Sequence, residues 1–149
     1  MQYTIAPASA YTCVSVRSGK VADIAGGPTA DGAGLLQWPD NGAANQQWTF
    51  QSTADGYHTI TCVRSGKVLD VSDSSTADGA RIVQSTADGR TSQQWRLRPL
   101  TGGAFTVVNR NSGKVLDVSG GSTADGVALI QYSDRGSTNQ QWTFRRVGG

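Results

Sequence analysis

Apolar residues come in short runs along this chain, and turn-forming residues separate the runs. In the last third, FTVVN, KVLDV, ALIQY and QQWTF are rich in β-branched and aromatic side chains, which suit a pleated, half-buried strand. The breaks between them carry Asn-Ser-Gly, Ala-Asp-Gly and Arg-Gly-Ser. Asp-Gly recurs at Asp31, Asp55, Asp78, Asp88 and Asp125. It is a strong hairpin signal, because glycine adopts positive φ without steric cost. No segment keeps a helical spacing of apolar positions over three turns. The pattern predicts a turn about every 12 residues, the spacing of an all-β sandwich or barrel.

The whole pattern then repeats. Trp48, Trp95 and Trp142 each end a Gln-Gln-Trp and stand 47 residues apart, as do Asp23, Asp70 and Asp117 and also Lys20, Lys67 and Lys114. A fixed period of this size makes each repeat one supersecondary unit and the fold their assembly. Propellers typically need about 4 to 8 blades, and a solenoid needs distinct capping repeats. Three four-stranded units closing about a pseudo-threefold axis make a β-trefoil, and closure removes the edges a lone repeat would expose. The expected architecture is a single all-β domain over 1–149, with repeats near 10–51, 57–98 and 104–145. Its core is expected in triplicate, from Trp48, Trp95 and Trp142, from Leu35, Ile82 and Leu129, and from Phe50, Leu97 and Phe144.

Composition narrows the function. The 149 residues carry a net charge of +2, only 16% are charged, and the basic ones are scattered. The electrostatic footprint of a nucleic-acid binder is missing. No run approaches the roughly 18 to 20 apolar residues of a membrane span, so no membrane insertion is expected. The opening MQYTIAPASAYT lacks the charged start and long apolar stretch of a signal peptide. Cys13 aligns with Ile60 and Val107, as a small core residue would, whereas Cys62 falls out of register with it. A disulfide between them stays open at this level, because spacing alone does not show that they meet.

The residues that carry chemistry resemble a known family. SGKVLDV, the Ser-Thr-Ala-Asp-Gly turns, an aromatic such as Trp38 and then NQQW look like the ricin-B-type β-trefoil, which includes R-type lectins and family-13 carbohydrate-binding modules. The resemblance runs from about Tyr11 to Phe144, with Gln-x-Trp in register three times. It implies sugar binding at a carboxylate, an amide and an aromatic plate. A fixed carboxylate accepts strong bonds from neighbouring hydroxyls, and an aromatic ring covers a C–H face of the sugar. In the first repeat the implied set is Asp23, Asn45 and Trp38, with Gln46 orienting Asp23 from behind. In the third it is Asp117, Asn139, Gln140 and Tyr132. The Gln-x-Trp tryptophans are assigned to the core.

Three departures from the family pattern matter. The second repeat keeps Asp70 and Gln93, but Ser85 replaces the aromatic and Ser92 the asparagine. Losing both should remove most of the ~4 kcal/mol of a millimolar site, so this site is expected to be weak or silent. The cysteines that commonly form a disulfide within each repeat are replaced by Val21, Val68 and Val115, and by Asp40, Ala87 and Asp134. Finally, a ligand-facing glutamine usually stands two residues before the aromatic, where this chain has Leu36, Val83 and Ile130. Gln37, Gln84 and Gln131 come one residue later, and such a shift turns a strand side chain to the opposite face. Either a bulge restores Gln37 and Gln131 as accessory ligand groups, or the sugar meets an apolar wall.

Catalysis finds little support. His58 is the only histidine and has no partner motif for nucleophilic chemistry. The repeated aspartates, one per lobe, are not the close pair of a glycosidase. Neither a metal site nor a cofactor is expected, since two cysteines and one histidine make a poor zinc set and the Ser-Thr-Ala-Asp-Gly runs lack calcium-loop spacing. The expected function is non-catalytic, multivalent carbohydrate binding by a secreted, monomeric lectin or by the binding module of a glycoside hydrolase. By resemblance, its partners are galactosides, arabinogalactan or xylan, with L-rhamnose also within range. The alternative is a trefoil interaction module of the protease-inhibitor or growth-factor type. An inhibitor would show one long asymmetric loop and a heparin binder a basic face. Neither feature is present, Arg145 and Arg146 being only a pair.

Overall fold

The alternating runs form twelve strands in the computed structural model, which describes residues 5, 6 and 8–148. The first repeat gives β1 (Ala10–Ser15), β2 (Val21–Ile24), β3 (Leu35–Trp38) and β4 (Trp48–Ser52). The second gives β5 (His58–Cys62), β6 (Val68–Val71), β7 (Ile82–Ser85) and β8 (Trp95–Pro99). The third gives β9 (Phe105–Asn109), β10 (Val115–Val118), β11 (Leu129–Tyr132) and β12 (Trp142–Arg146). Most of the opening segment read for a signal peptide is described; residues 1–4 and Pro7 lie outside the described residues.

Strand pairing closes a ring. β1 pairs with β4, β4 with β5, β5 with β8, β8 with β9, β9 with β12 and β12 with β1, all antiparallel. The other six strands form three hairpins, β2–β3, β6–β7 and β10–β11. Single pairs join them to the barrel at Val14 and Val21, Thr61 and Val68, and Val108 and Val115. Bridges such as Leu36 to Ala128 and Arg81 to Ile130 link one hairpin to another. This is a β-trefoil, a closed six-stranded barrel with three hairpins.

The core follows the threefold pattern closely. Trp48, Trp95 and Trp142 are fully buried with Leu35, Ile82 and Leu129. Each indole Nε1 donates to a hairpin carbonyl, of Ala22 (3.2 Å), Leu69 (3.1 Å) or Leu116 (3.1 Å). The third trio is uneven, because Leu97 is only partly buried while Phe50 and Phe144 are covered. Phe105 stacks on Phe144 at 5.1 Å, and His58 meets Phe50 edge-on at 6.5 Å. Burial holds His58 below its ordinary pKa, and its Nδ1 is buried without a hydrogen-bond partner. The open question about the cysteines resolves to two free, buried thiols.

The shifted glutamines are the main correction. The β2–β3 register is unbroken, with Ala22 opposite Gln37 and Asp23 opposite Leu36, so no bulge turns Gln37 towards the ligand side. Gln37, Gln84 and Gln131 are fully buried and tie one repeat to the next. Gln84 donates to the carbonyls of Pro28 (3.1 Å) and Ala30 (2.8 Å) and accepts from Ser65 Oγ (2.8 Å). Gln37 does the same with Ser122, Ala124 and Ser18, and Gln131 with Ser75, Ala77 and Ser112. Gln37 and Gln131 are therefore structural clamps with no amide group left for a ligand.

The turn aspartates add a second layer of contact between repeats. Asp31 accepts from the Thr86 amide at 2.7 Å, and Asp78 from the Ser133 amide at 2.9 Å. The third repeat's partner in this scheme is Pro39, which has no N–H to give. Asp125 pairs instead with Lys20 at 3.5 Å. Gln84→Leu keeps the volume but strips two carbonyls and a hydroxyl of their partners. We expect it to lower stability by about 3 kcal/mol, read as a lower urea midpoint at unchanged m-value.

Candidate functional site

In each repeat a single 3-10 turn precedes the barrel tryptophan, at Ala44–Gln46, Thr91–Gln93 and Thr138–Gln140. It delivers a glutamine amide to the aspartate of the neighbouring hairpin strand in every repeat, and an asparagine amide as well in the first and third. In the first repeat Gln46 Nε2 donates to Asp23 Oδ2 at 2.8 Å and to the Pro39 carbonyl at 3.0 Å, while its Oε1 accepts from the Asn41 amide. Gln46 is fully buried and positions Asp23 without facing the ligand side. Asn45 Nδ2 donates to Asp23 Oδ1 (3.0 Å) and to the Ile24 carbonyl (3.1 Å). Both its N–H groups are thus used internally, and its carbonyl oxygen is what remains for a ligand hydroxyl. Burial pushes the Asp23 carboxyl above the ordinary aspartate range, opposed by the bonds from Gln46 and Asn45.

These groups open onto a groove of about 520 Å³ walled by Asp23, Leu36, Trp38, Asn45 and Arg64. Leu36 lies opposite Asp23 across the strand pair, so the unbroken register gives the groove an apolar wall. Trp38 is 41% exposed, unlike the three core tryptophans. It also leans towards the adjoining repeat, where a Cβ on Gly126 would lie 3.7 Å from its ring. An acceptor-only carboxylate, a carbonyl, an aromatic face and a guanidinium can bind a neutral polyhydroxylated ring.

The third repeat reproduces the inner set and changes the rim. Asn139 Nδ2 donates to Asp117 Oδ1 at 3.0 Å, and Gln140 Nε2 to Asp117 Oδ2 at 2.9 Å. Burial raises the Asp117 pKa, against the opposing influence of Gln140, Arg135, Asn139 and Arg17. The groove of about 280 Å³ is walled by Arg17, Gly120, Gly121, Arg135, Ser137 and Asn139. Tyr132 keeps its register, but the Arg135 guanidinium lies 4.6 Å from its ring centre. Tyr132 is therefore a support for Arg135 rather than a bare plate like Trp38.

The second repeat is filled in. Asp70 Oδ2 still accepts from Gln93 at 3.2 Å, but its Oδ1 turns to the amide of Val71 at 2.7 Å. Ser74 stands where the other repeats have Gly27 and Gly121, and like them it has a positive φ. A Cβ on Gly27 or Gly121 would come within 3.7 Å of Asn45 or Asn139. In the second repeat that asparagine is Ser92, and its hydroxyl meets Ser74 Oγ at 3.2 Å. Arg90 reaches over to Ser74 Oγ at 3.3 Å while paired with Asp88. The glycine–asparagine pair of the open repeats has become a mutually bonded serine pair.

Arg17 and Arg64 were not singled out from the sequence. Arg64 Nε donates to the Gly27 carbonyl at 2.6 Å, and Arg17 Nη1 to the Gly121 carbonyl at 3.1 Å. Each thus completes the groove of the preceding repeat in the cyclic order, and Asn111 serves the second repeat through the Ser74 carbonyl. The signal is the in-register series Arg17, Arg64, Asn111, in which the missing cation falls one repeat after the missing aromatic, Ser85.

Comparison with known proteins supports this fold. The designed threefold-symmetric protein ThreeFoil is 44% identical over 91% of this chain and 97% of its own, with a TM-score of 0.90. The exo-β-1,3-galactanase 1,3Gal43A from Clostridium thermocellum is 38% identical over 98% of this chain, with a TM-score of 0.93. This chain spans only 32% of that enzyme. The ricin B-like lectin of Macrolepiota procera, solved with lactose, is 25% identical over 97% of this chain and 99% of its own, with a TM-score of 0.84. A search of curated proteins gave no match. The family described as ricin-type beta-trefoil lectin domain-like matches residues 2–85 and 91–149, which covers nearly the whole chain. The chain belongs to that ricin-type β-trefoil lectin family.

Proposed function

We propose that this protein is a non-catalytic carbohydrate-binding protein with two working grooves, in the first and third repeats, and a closed second one. The observation that carries the reading is the first groove, where a carboxylate gripped by two amides faces a half-exposed tryptophan. Galactose-like or pentose-containing glycans fit this reading. Support for the galactose class comes from the lectin solved with lactose and from the galactanase whose polypeptide includes a similar unit. Two weak sites on one rigid barrel gain on a polymer by raising effective concentration, which suits a secreted lectin or a polysaccharide-targeting module. Each groove is completed within one chain, so a monomer suffices.

Three of the four tryptophans are buried in the core, so a ligand-induced change in tryptophan emission reports Trp38. Lactose should quench that emission in the parent protein and fail to do so in Asp23→Ala. Trp38→Ala should weaken the first site about 5-fold, consistent with ~1 kcal/mol for an aromatic contact. On an arabinogalactan column, Asp23→Ala and Asp117→Ala should each reduce retention and the double variant abolish it, while Asp70→Ala leaves it unchanged. Retention by the folded double variant would sink the site assignment.

The pH dependence has a defined sign. The ligand-accepting form of Asp23 and Asp117 is ionised, and burial raises both pKa values. Binding should be complete at neutral pH and fall on acidification, with a midpoint above the ordinary aspartate value of about 3.9. Titrating lactose by calorimetry between pH 7 and pH 4 checks this, and a flat profile would contradict the role of the carboxylates.

A further inference from the structure

The two open grooves differ in charge in a way the shared inner set does not require. At the position of Asn41 in the first repeat the third has Arg135. The third groove therefore presents two guanidinium groups, Arg17 and Arg135, where the first presents Arg64 alone. Arg17 is fixed by its bonds to Thr138 Oγ1 (2.9 Å) and to the Gly121 carbonyl (3.1 Å). Arg135 is fixed by its seat on Tyr132 at 4.6 Å. Among the described residues neither takes part in an ion pair. The neighbouring acid, Asp134, is already paired with Arg98. Asp117 is buried and held by Asn139 and Gln140.

Two pre-positioned guanidinium groups outside any ion pair, sharing one groove with the Asn139 amide, make a receptor for an anion that also carries hydroxyls. Arginine is suited to this because its planar fork matches oxyanions and its charge is held at all relevant pH values. A Cβ at Gly121 would come up against the Arg17 guanidinium, which would have to shift to make room. In the second repeat Ser74 and Asn111 stand at these places, so the counterparts of Gly121 and Arg17 are both missing.

We propose that the third-repeat groove takes an acidic sugar, whose hydroxyls bond Asn139 and whose anionic group lies between Arg17 and Arg135. The first groove takes the neutral sugar, so that the protein recognises a glycan carrying both. This rests on the reading of the grooves as sugar sites. The shared chemistry is an oxyanion beside hydroxyls on a hexose, supplied either by the carboxylate of a uronic acid or by a sulfate ester.

The test uses single-groove proteins. Asp23→Ala leaves the third groove and Asp117→Ala leaves the first; each is titrated calorimetrically with galactose, galacturonic acid and galactose 6-sulfate. In Asp23→Ala we expect at least one of the two acidic sugars to bind about 5-fold or more tighter than galactose, the scale of one partly exposed ion pair. Which of the two binds tighter identifies the carboxylate or the sulfate as the source. The preference should shrink in 0.5 M salt and fall to a ratio near one in Asp23→Ala/Arg135→Asn, which copies the first groove's Asn41. In Asp117→Ala no acidic preference is expected. Equal binding of all three sugars by Asp23→Ala, unmoved by Arg135→Asn, overturns the proposal while leaving the lectin reading intact. Absence of any sugar binding by the parent protein overturns both. An unchanged unfolding midpoint for Arg135→Asn confirms that its effect is local.

Discussion

The Gln-x-Trp turn grips two consecutive residues of a hairpin strand at once. Its tryptophan donates to the carbonyl of Ala22, Leu69 or Leu116, and its first glutamine donates to the carboxylate of the next residue, Asp23, Asp70 or Asp117. The first bond fixes hairpin to barrel in the dry core, and the second fixes the aspartate at the edge of that core. A groove built on this motif is rigid because its carboxylate is anchored by the fold's own packing. The same closeness to the core raises the Asp23 and Asp117 pKa values through burial. Stability and groove geometry therefore share one set of bonds.

The repeats are not self-contained. The buried glutamines clamp the turn of a different repeat, and each groove takes a wall residue from the repeat that follows it. With no disulfide among the described residues, these exchanged hydrogen bonds and the common tryptophan core hold the three units together. The arrangement lets a groove diverge by substitutions in two repeats without disturbing the barrel. The closed second groove shows this, since Ser74 and Ser92 fill one another's space and satisfy one another's hydroxyls.

Departures from symmetry collect at the rim. Trp38, Ser85 and Tyr132 stand at equivalent places, as do Asn41, Asp88 and Arg135, whereas Asp23, Asp70 and Asp117 are constant. The constant residues are buried and bonded in all three repeats, and a buried charge without its partners would be costly. Rim residues carry no such constraint and are free to differ from groove to groove. His58 is a symmetry departure inside the molecule, in the series Tyr11, His58 and Phe105, and its unpartnered Nδ1 marks the least satisfied point of the described interior.

The family resemblance implied the inner set of Asp23, Asn45 and Gln46 with its third-repeat counterpart, while the sequence by itself determined the threefold repeat, the strands and the triplicate tryptophan core. These are local or periodic properties: strand runs, Asp-Gly turns and a constant step are visible to anyone counting along the chain. Three things were decided only by the tertiary structure. Gln37 and Gln131 proved to be clamps because the β2–β3 and β10–β11 registers run without a bulge, and register depends on the partner strand. Tyr132 proved to be covered because Arg135, from a loop, lies over its face. Arg17 and Arg64 proved to belong to the grooves of other repeats because closure of the barrel brings residues more than 35 positions apart into contact. A repeat pattern shows which residues are equivalent, and only the closed ring shows which of them are neighbours.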